Sequence, residues 1–356
     1  MNKKTLLKRT GFVFLIPLAF LQCKRELSSP SAQQSNKQQW INDYFKELSS
    51  SNYTNIYAVS WWHENFDGSF LTINSSEAAL QQYQTEVGNS LFAEQCSFVN
   101  GKLTFQAGKI YHAAFPNFGG TEDQVLDNNI TNFEVLAKRK IAWAYFSNNW
   151  VHGIVFPQRE VDIIKNAGKV PFIRMMPRSR FEANKPDPQW HLIDIIHGQF
   201  DTSLKDWARA AKNCGTNLLV EFGAEVNCSC FPWNGSYNGG GMLNGYGDPN
   251  YPDGPEIYRD AFRHIIDLFK QEQVTNITWF FHVDASGSPN EWWNEARYYY
   301  PGDNYIDWIG VSTYGPQKKT DSYTRPKDLL DGAYRMLQSV SANKPYAVVE
   351  LGVTEW

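Results

Sequence analysis

Seven apolar segments with the length of β-strands alternate with helical segments from residue 109 to the end of the chain. Most are apolar along their whole length, which is typical of parallel strands buried on both faces. The predicted strands are 109–115, 141–146, 170–175, 218–222, 277–282, 306–311 and 346–349. This alternation predicts an α/β domain with a parallel sheet, and 356 residues are enough for one large core.

A closed eight-stranded barrel needs one strand more than this stretch supplies, because the chain ends on the seventh. The N-terminal part predicts a helix over 37–48, a strand over 56–61 and a helix over 77–91. These elements would act as helix 7, strand 8 and helix 8 of a (β/α)8 TIM barrel, circularly permuted so that they come first. The alternative is an unrelated N-terminal appendage on a truncated chain.

Two of the predicted strands lead into a glutamate. Strand 218–222 is followed by Glu225, and strand 346–349 is followed directly by Glu350. Catalytic groups of β/α barrels lie at the carboxyl ends of the strands, so the two carboxylates are predicted to meet over the barrel mouth. A pair of carboxylates is what glycoside hydrolysis requires. Glu221, which lies within the first of these strands, is predicted to have a structural role.

Composition narrows the classes of partner. The net charge is −4 and there is no basic patch, so nucleic acid is not an expected partner. Thirteen Trp and eighteen Tyr mostly indicate packing, but sugar-binding clefts also use aromatic faces as platforms. The seven His show no metal-ligand spacing, so neither a metal nor another cofactor is predicted.

The first 23 residues resemble a bacterial lipoprotein signal. An apolar segment over 11–21 is too short to span a bilayer, and it leads to Cys23 as the predicted lipidation site. Gln22 stands where such signals prefer a small residue. The segment 24–36 is rich in Ser and Gln and predicts a flexible linker, which leaves 37–356 as the catalytic domain. We expect an exported protein held at the cell surface or outer membrane, or otherwise secreted.

Four cysteines follow the signal segment, Cys96, Cys214, Cys228 and Cys230. In an exported protein some of them are expected to pair, but the sequence does not fix the partners. Cys228 and Cys230 are separated by one residue, a spacing that we expect to strain a direct bridge.

Six motifs lie between about Tyr111 and Gly352, namely VPFIRMMPRS, GQFDTSLKDWA, GAEVNCSCFPWNG, NITWFFHVD, YPGDNYIDWIGVSTYG and KPYAVVELG. In them the chain resembles glycoside hydrolase family 26, best known as β-mannanases. The N-terminal WINDYFKEL, IYAVSWWHENF and INSSEAALQQY resemble that family's last helix, strand and helix. The family's clan places its acid on barrel strand 4 and its nucleophile on strand 7. The resemblance therefore implies that Glu225 is the general acid/base and Glu350 the nucleophile.

The resemblance also implies that Tyr314 hydrogen-bonds the nucleophile and that Trp61 lies under the sugar at the cleavage point. Further candidates for substrate contact are Trp233, Asn227, Trp292, Trp293 and Arg174. Core packing is the alternative for the tryptophans, an internal ion pair for the arginine, and loop orientation for the asparagine. His282 is predicted to be a rim residue rather than a catalyst.

The chain departs from the family pattern on the leaving-group side of the cleft. Ala224, Cys228 and Cys230 stand where the family usually has His, Gly and Trp. The prediction is a monomeric retaining endo-β-glycanase that acts on β-1,4-mannan-type polysaccharide or its oligosaccharides. The alternatives are a β-1,3-xylanase, a mixed-linkage β-glucanase, or a carbohydrate-binding surface lipoprotein without turnover.

Overall fold

A computed structural model describes residues 36–66 and 68–355, and within them eight parallel strands form a closed barrel. The strands are Ile56–Trp62 (β1), Ile110–Phe115 (β2), Trp143–Asn149 (β3), Val170–Met176 (β4), Leu218–Phe222 (β5), Ile277–Asp284 (β6), Trp308–Tyr314 (β7) and Tyr346–Gly352 (β8). From β2 to β8 each strand pairs with the next one in the chain. The predicted (β/α)8 TIM barrel is confirmed.

The N-terminal strand β1 closes the barrel. Ile56 pairs in parallel with Tyr346 of β8, and Ala58 pairs in parallel with Tyr111 of β2. The alternative of a separate N-terminal appendage is therefore wrong. Strand pairing establishes the closure but not the ancestry of the element order, so the circular permutation relative to the family stays a prediction.

Helices lie between the strands along the chain. They are Asn36–Leu48 (α1), Glu77–Val87 (α2), Asp127–Ala137 (α3), Gln158–Asn166 (α4), Leu192–Ile196 (α5), Asp201–Asn213 (α6), Asp253–Gln271 (α7), Ala296–Tyr299 (α8) and Pro326–Val340 (α9). Short strands form two hairpins, Asn65–Phe66 with Ser69–Phe70 and Ser97–Val99 with Lys102–Thr104, while Phe92–Ala93 pairs with β2. The sequence pattern over 121–138 predicts a helix, but α3 begins only at Asp127, and Glu122 ahead of it has a left-handed backbone with a φ of 63° that does not belong to a helix.

The first helix, α1, is part of the same core as the C-terminal strands. Its apolar residues recur at helical spacing and are buried, including Trp40, Tyr44 and Leu48. The hydroxyl of Tyr44 lies 2.7 Å from Oγ1 of Thr313 in β7, and the indole of Trp40 donates to the Thr324 carbonyl at 3.0 Å. The N-terminal segment is thus bound to residues almost 300 positions away.

Aromatic side chains fill the barrel interior. The ring of Phe172 in β4 lies 4.8 Å from Tyr145 in β3 and 4.6 Å from Phe280 in β6, measured between centroids. Phe280 in turn stacks on Trp308 in β7 at 5.7 Å. The barrel is therefore a packed core, and this core supports the polar groups at the strand ends.

Removing residues 36–100 is expected to abolish the cooperative fold rather than trim a tail. The deletion takes away β1 and its covering helices, which leaves β2 and β8 with unpaired edges and uncovers apolar surface. Circular dichroism during heating should then show no cooperative transition. The control is a chain that begins at Gln34, the first residue of the compact unit to which all described residues belong. A cooperative transition in the 36–100 deletion would contradict the closure.

Two sequence-based segment predictions cannot be compared with this fold. The signal segment over 1–23 lies outside the described residues, and so does the linker over 24–36 except for Asn36, the first residue of α1. Among the residues that are described, none of the helices combines the length and the apolarity needed to cross a membrane. The domain boundary at residue 37 stays a prediction.

Candidate active site

A cleft of about 910 Å³ lies over the carboxyl ends of the barrel strands. Side chains from seven of the strands or their following loops line it, namely Trp62, Glu122, Arg174, Glu225, Phe231, Asp284, Ser312, Tyr314 and Glu350. Its volume is near the upper end of the range for ligand sites, roughly 300–1,000 Å³. Both glutamates that the sequence singles out are present in it, together with Tyr314 and Arg174.

Glu225 is held by a tight turn after β5. Gly223 has a φ of 61° and lies so close to the Trp233 ring that a Cβ would come within 3.0 Å of it, so a glycine is required here. Glu225 itself has a φ of 49°, a conformation that costs a non-glycine residue about 1–3 kcal/mol. The turn is fixed by the Trp233 indole, which donates to the Ala224 carbonyl at 2.7 Å. Such locally strained residues concentrate at functional sites.

Glu350 is aimed into the cleft by an irregularity in β8. Val311 of β7 is paired with Val348, but the next residue, Ser312, is paired with Glu350. One extra residue in β8 therefore turns the glutamate, as β-bulges commonly do beside active sites. Glu350 is only 4% exposed, which leaves one edge of its carboxylate at the cleft.

Three donors surround the Glu350 carboxylate. The Tyr314 hydroxyl donates to Oε2 at 2.8 Å, and the Tyr145 hydroxyl, whose single hydrogen is shared with the closer Glu221, lies 3.2 Å from Oε1. The guanidinium of Arg174 lies 3.1 Å from Oε1. The predicted contact between Tyr314 and Glu350 is present. These contacts fix the orientation of the carboxylate and supply a positive partner for its charge.

The two carboxylates are close together. One oxygen of Glu225, one oxygen of Glu350 and one ring nitrogen of His282 all lie within 4.8 Å of one another. Retaining glycosidases separate their two carboxyl groups by about 5–5.5 Å, whereas inverting enzymes need about 6.5–9.5 Å to admit a water. The oxygens of Glu225 and Glu350 thus lie closer together than the carboxyl separation of inverting enzymes.

The surroundings of Glu225 favour its protonated form. Burial of the carboxyl raises its pKa well above the ordinary value, and the nearby charges of Glu350 and Asp284 raise the pKa further. A hydrogen bond with Ser312 and the charge of Arg174 act in the opposite direction but do not outweigh these effects. The pKa of one carboxyl is thus raised beside another that is surrounded by donors, and such a difference in surroundings is how paired carboxyls come to have different roles.

Arg174 links the acidic groups beneath the cleft. The fully buried guanidinium lies 2.8 Å from Glu122 and 3.4 Å from Glu221, in addition to its contact with Glu350. It also lies 5.5 Å from the centre of the Trp62 ring. Arg174 therefore forms an internal ion pair, which was one of its two predicted roles. It also lines the cleft.

Glu221 and His282 form a second buried layer under the acid. Glu221 accepts a hydrogen bond from Tyr145 at 2.7 Å and lies 3.1 Å from Nδ1 of His282, whose Nε2 lies 2.8 Å from the Ser312 hydroxyl. Burial alone would raise the pKa of Glu221, but the charges of His282 and Arg174 lower it overall. Glu221 has the structural position that was predicted, whereas His282 is buried rather than on the rim.

Trp61 does not reach the cleft, so its predicted place under the sugar is wrong. It is 1% exposed, packs against Tyr83, and donates its indole N–H to the Leu71 carbonyl at 2.8 Å. Successive side chains of a strand point to opposite faces, so its neighbour Trp62 faces the cleft instead. Trp62 is held there by stacking on Phe115 at 4.0 Å.

Trp233 and Asn227 support the site from behind. Trp233 is fully buried and stacks on Phe231 at 4.6 Å, and it is Phe231 that lines the cleft. Trp233 therefore does not reach the cleft as the predicted sugar platform, and the aromatic ring that lines the cleft here is that of Phe231. The side chain of Asn227 exchanges two hydrogen bonds of 2.8 Å with the backbone of Asp284, which is the loop-orienting alternative.

Trp292 and Trp293 do not line the cleft, so their prediction as a cleft wall is wrong. Trp292 is 52% exposed and packs edge-on against Tyr298. The Trp293 ring covers Gly241, where a Cβ would come within 2.4 Å of it. These tryptophans belong to the packing of the glycine-rich loop that follows β5.

The sequence interpretation missed acidic residues near the cleft, Asp284 among them. Glu122, which lines the cleft beside Arg174, lies in a stretch that was predicted to be helical. Burial and the charge of Glu122 raise the pKa of Glu64 to about 7. Glu64 lies two residues after the end of β1, but a lone glutamate after a strand gives no signal without the structure.

Cys228 and Cys230 form a disulfide, contrary to the expectation that their spacing disfavours it. Both line the cleft. Of the described cysteines, Cys96 and Cys214 are unpaired.

The described residues contain two groups whose donor atoms lie within 4.8 Å of one another, Glu225 with Cys228 and Cys230, and Glu225 with His282 and Glu350. In the first group the sulfurs are bonded to each other, so neither is a thiolate ligand. In the second, both ring nitrogens of His282 already have partners in Glu221 and Ser312. Neither donor set fits a metal ion.

A barrel with two paired carboxylates at its mouth is an arrangement that glycoside hydrolases use. Residues 199–352 match the model of glycosyl hydrolase family 26. This is the family that the motifs of the chain resemble.

Two curated relatives share this similarity. Endoglucanase H of Acetivibrio thermocellus is 26% identical over 262 residues, which cover 73% of this chain and 26% of that protein. Mannan endo-1,4-beta-mannosidase A and B of Caldalkalibacillus mannanilyticus is 29% identical over 99 residues, 28% of this chain and 16% of that protein. The chain thus spans about a quarter or less of the length of these relatives.

Solved structures of the family are also similar. The GH26 β-mannanase BoMan26A from Bacteroides ovatus is 12% identical, with coverage of 89% of this chain and 76% of that chain and a TM-score of 0.42. The catalytic domain of the Bacillus sp. JAMB-750 GH26 endo-β-1,4-mannanase is 14% identical, with coverage of 91% and 74% and a TM-score of 0.44. Scores of this size add nothing to what the strand pairing and the site geometry establish.

Proposed function

We propose that the protein is a retaining endo-β-glycanase that hydrolyses β-1,4-mannan-type polysaccharide. The observation that supports this most directly is the pair of carboxylate oxygens within 4.8 Å, one on Glu225 and one on Glu350. This separation leaves too little room for a water between the carboxyls, so the reaction proceeds by double displacement. The substrate class rests on the family and on the mannosidase among its relatives.

In the first step the Glu350 carboxylate attacks the anomeric carbon while Glu225 gives its proton to the leaving oxygen. In the second step Glu225, now ionised, takes a proton from water, and that water releases the sugar from Glu350. The Tyr314 hydroxyl and Arg174 hold Glu350 in line for attack. Burial and the negative charge of Glu350 keep the proton on Glu225 until the nucleophile has reacted.

Aromatic side chains on two sides of the carboxylates suit a chain of sugar rings. Trp62 lies beside Arg174 on one side, and Phe231 lies on the loop after Glu225 on the other. Aromatic faces bind the apolar faces of pyranose rings, while the charged groups between them bind hydroxyls. Binding on both sides of the cleavage point is what cleavage within a polysaccharide requires.

A mixed-linkage β-glucanase or β-1,3-xylanase is the second candidate. Ala224, Cys228 and Cys230 alter the leaving-group side, and one relative is named an endoglucanase. A binding protein without turnover is the third candidate. The groups that hydrolysis by two carboxylates needs argue against it. Both carboxylates and the donors to Glu350 are in place.

A reducing-sugar assay on β-mannan, β-1,3-xylan and mixed-linkage β-glucan separates these candidates, with Glu350→Gln measured in parallel. Turnover of mannan above the other two, absent in the variant, is the expected result. A preference for glucan or xylan would mean that this polysaccharide, and not mannan, is the substrate. If binding to any glycan occurs without turnover by the wild-type chain, the protein is a binding protein and the enzymatic proposal fails.

We also propose an exported protein with a lipid anchor on Cys23, by its resemblance to lipoprotein signals. The expected result is that cells expressing the full chain incorporate labelled palmitate into it and that Cys23→Ala loses the label. The matched control is Cys96→Ala, which leaves the signal segment unchanged. Equal labelling of the Cys23→Ala variant would contradict lipidation and favour a secreted protein.

A further inference from the structure

The Cys228–Cys230 disulfide lies directly against the group proposed as the acid. Both sulfur atoms and one carboxylate oxygen of Glu225 lie within 4.8 Å of one another. Both cysteines also line the cleft. The bridge is therefore a wall of the site and not a cross-link elsewhere in the fold.

The disulfide closes the loop that gives Glu225 its direction. The amide of Cys228 donates to the Glu225 carbonyl at 2.8 Å, and the amide of Phe231 donates to the Cys228 carbonyl at 3.2 Å. On its outer side the loop is held by Ser229, whose amide donates to the Ser288 carbonyl at 2.8 Å. Since Glu225 has an unfavourable positive φ, its conformation depends on how strongly this loop is constrained.

The sulfur atoms of the disulfide also differ chemically from the hydroxyl groups that two serines would place there. A disulfide has no hydrogen to donate and is a weak acceptor, so it covers the carboxyl of Glu225 without giving it a partner. Two hydroxyls in the same place would attract water and donate hydrogen bonds to a carboxylate. The bridge therefore favours the protonated form of the neighbouring acid.

We infer that the Cys228–Cys230 disulfide is a positioning element of the acid site, which fixes the direction of Glu225 and excludes water from its leaving-group side. The inference rests on the proposed glycanase function and adds to it a role for two residues that depart from the family pattern. The disulfide takes no part in the chemical reaction itself. It acts through Glu225.

The expected consequence is a change in the pH profile. The charged and titratable groups that face Glu225 are Glu350, Asp284, Arg174, Tyr314 and His282, and all of them remain when the bridge is removed. Burial is the largest cause of the raised pKa of Glu225. Water entering beside it therefore lowers the pKa toward the ordinary value. The alkaline limb of kcat/KM, where the acid loses its proton, moves to lower pH.

The test compares the full chain with its Cys228→Ser/Cys230→Ser variant on polysaccharide and on an aryl glycoside with a good leaving group. We expect the loss on polysaccharide to be about tenfold or more, within the range for general acid catalysis, and the loss on the aryl glycoside to be clearly smaller. The alkaline limb should shift to lower pH in the variant. Cys96→Ala, which removes a thiol away from the cleft, is the matched control.

Thermal unfolding of each variant shows whether the fold is intact. Reduction of the wild-type chain by a phosphine should reproduce the change without substitution, and reoxidation should reverse it. An alkaline limb that stays in place, or equal losses on both substrates, would overturn the inference while leaving the glycanase proposal intact. Alkylation of four thiols beyond residue 36 in the untreated protein would also overturn the inference, because Cys228 and Cys230 would then not be bonded. A wild-type chain with normal disulfide content but without turnover would instead refute the proposed function.

Discussion

Glu350→Gln is expected to lose turnover of β-mannan by on the order of 10⁴-fold or more while the barrel stays folded. Glutamine has the same shape and still accepts the Tyr314 hydroxyl, but it cannot form the glycosyl ester. Arg174 keeps Glu122 and Glu221 as partners, so its positive charge stays compensated. Initial rates on the polysaccharide and thermal unfolding curves of both proteins measure the two effects.

The matched control for this substitution is Glu182→Gln, which removes an exposed carboxylate that pairs with Lys185 at 2.7 Å. Its rate should stay near that of the wild type. A second variant, Glu350→Ala, leaves space for azide, which would replace the nucleophile and give a glycosyl azide of inverted configuration. Near wild-type turnover in Glu350→Gln, or an inverted product from the wild-type chain, would remove Glu350 as the nucleophile.

The features that could be predicted are those that depend on strand order and strand ends. Alternation of strands and helices predicted the barrel, and the count of seven predicted that β1 must close it. Glu225 and Glu350 could be placed at the mouth because parallel strands present their carboxyl ends on one side. None of these predictions requires knowledge of a side-chain direction.

The errors concern the direction of single side chains. Trp61 and Trp62 are adjacent, and a one-residue difference in a strand exchanges the core face for the cleft face. The extra residue in β8 that turns Glu350 leaves no mark in the strand's apolar pattern. Trp233 and Phe231 lie two residues apart in an irregular loop, where no periodicity indicates which ring faces the sugar.

The groups that sequence reasoning missed are held by contacts distant in the chain. Glu122 belongs to the site because Arg174, fifty-two residues later, binds it at 2.8 Å. His282 meets Glu221 and Ser312 from two other strands. The disulfide was not predicted because the sequence left the cysteine partners open and the spacing of Cys228 and Cys230 was expected to strain a direct bridge. In each case the information is in the packing of separate strands and loops.

Glu225→Ala is expected to slow polysaccharide hydrolysis by about 10²–10⁴-fold, the usual contribution of a general acid. An aryl glycoside with a good leaving group needs no proton for the first step, so its glycosylation rate should fall much less. Because the variant also lacks the base for the second step, the glycosyl ester on Glu350 should accumulate. Mass spectrometry of the enzyme after mixing with the aryl glycoside measures that intermediate.

The pH profile gives an independent test of the same residue. The pKa of Glu225 is raised by burial and by the charges of Glu350 and Asp284, so its acid form persists above the ordinary carboxyl range. Wild-type kcat/KM on polysaccharide should fall as the pH rises through that elevated pKa, and Glu225→Gln should lack this fall. Gln317→Ala, at another position on the cleft wall, is the control and should keep the alkaline limb. An alkaline limb that survives unchanged in Glu225→Gln would assign the acid to another group. Glu64, whose pKa is raised by burial to about 7, would be the next residue to test.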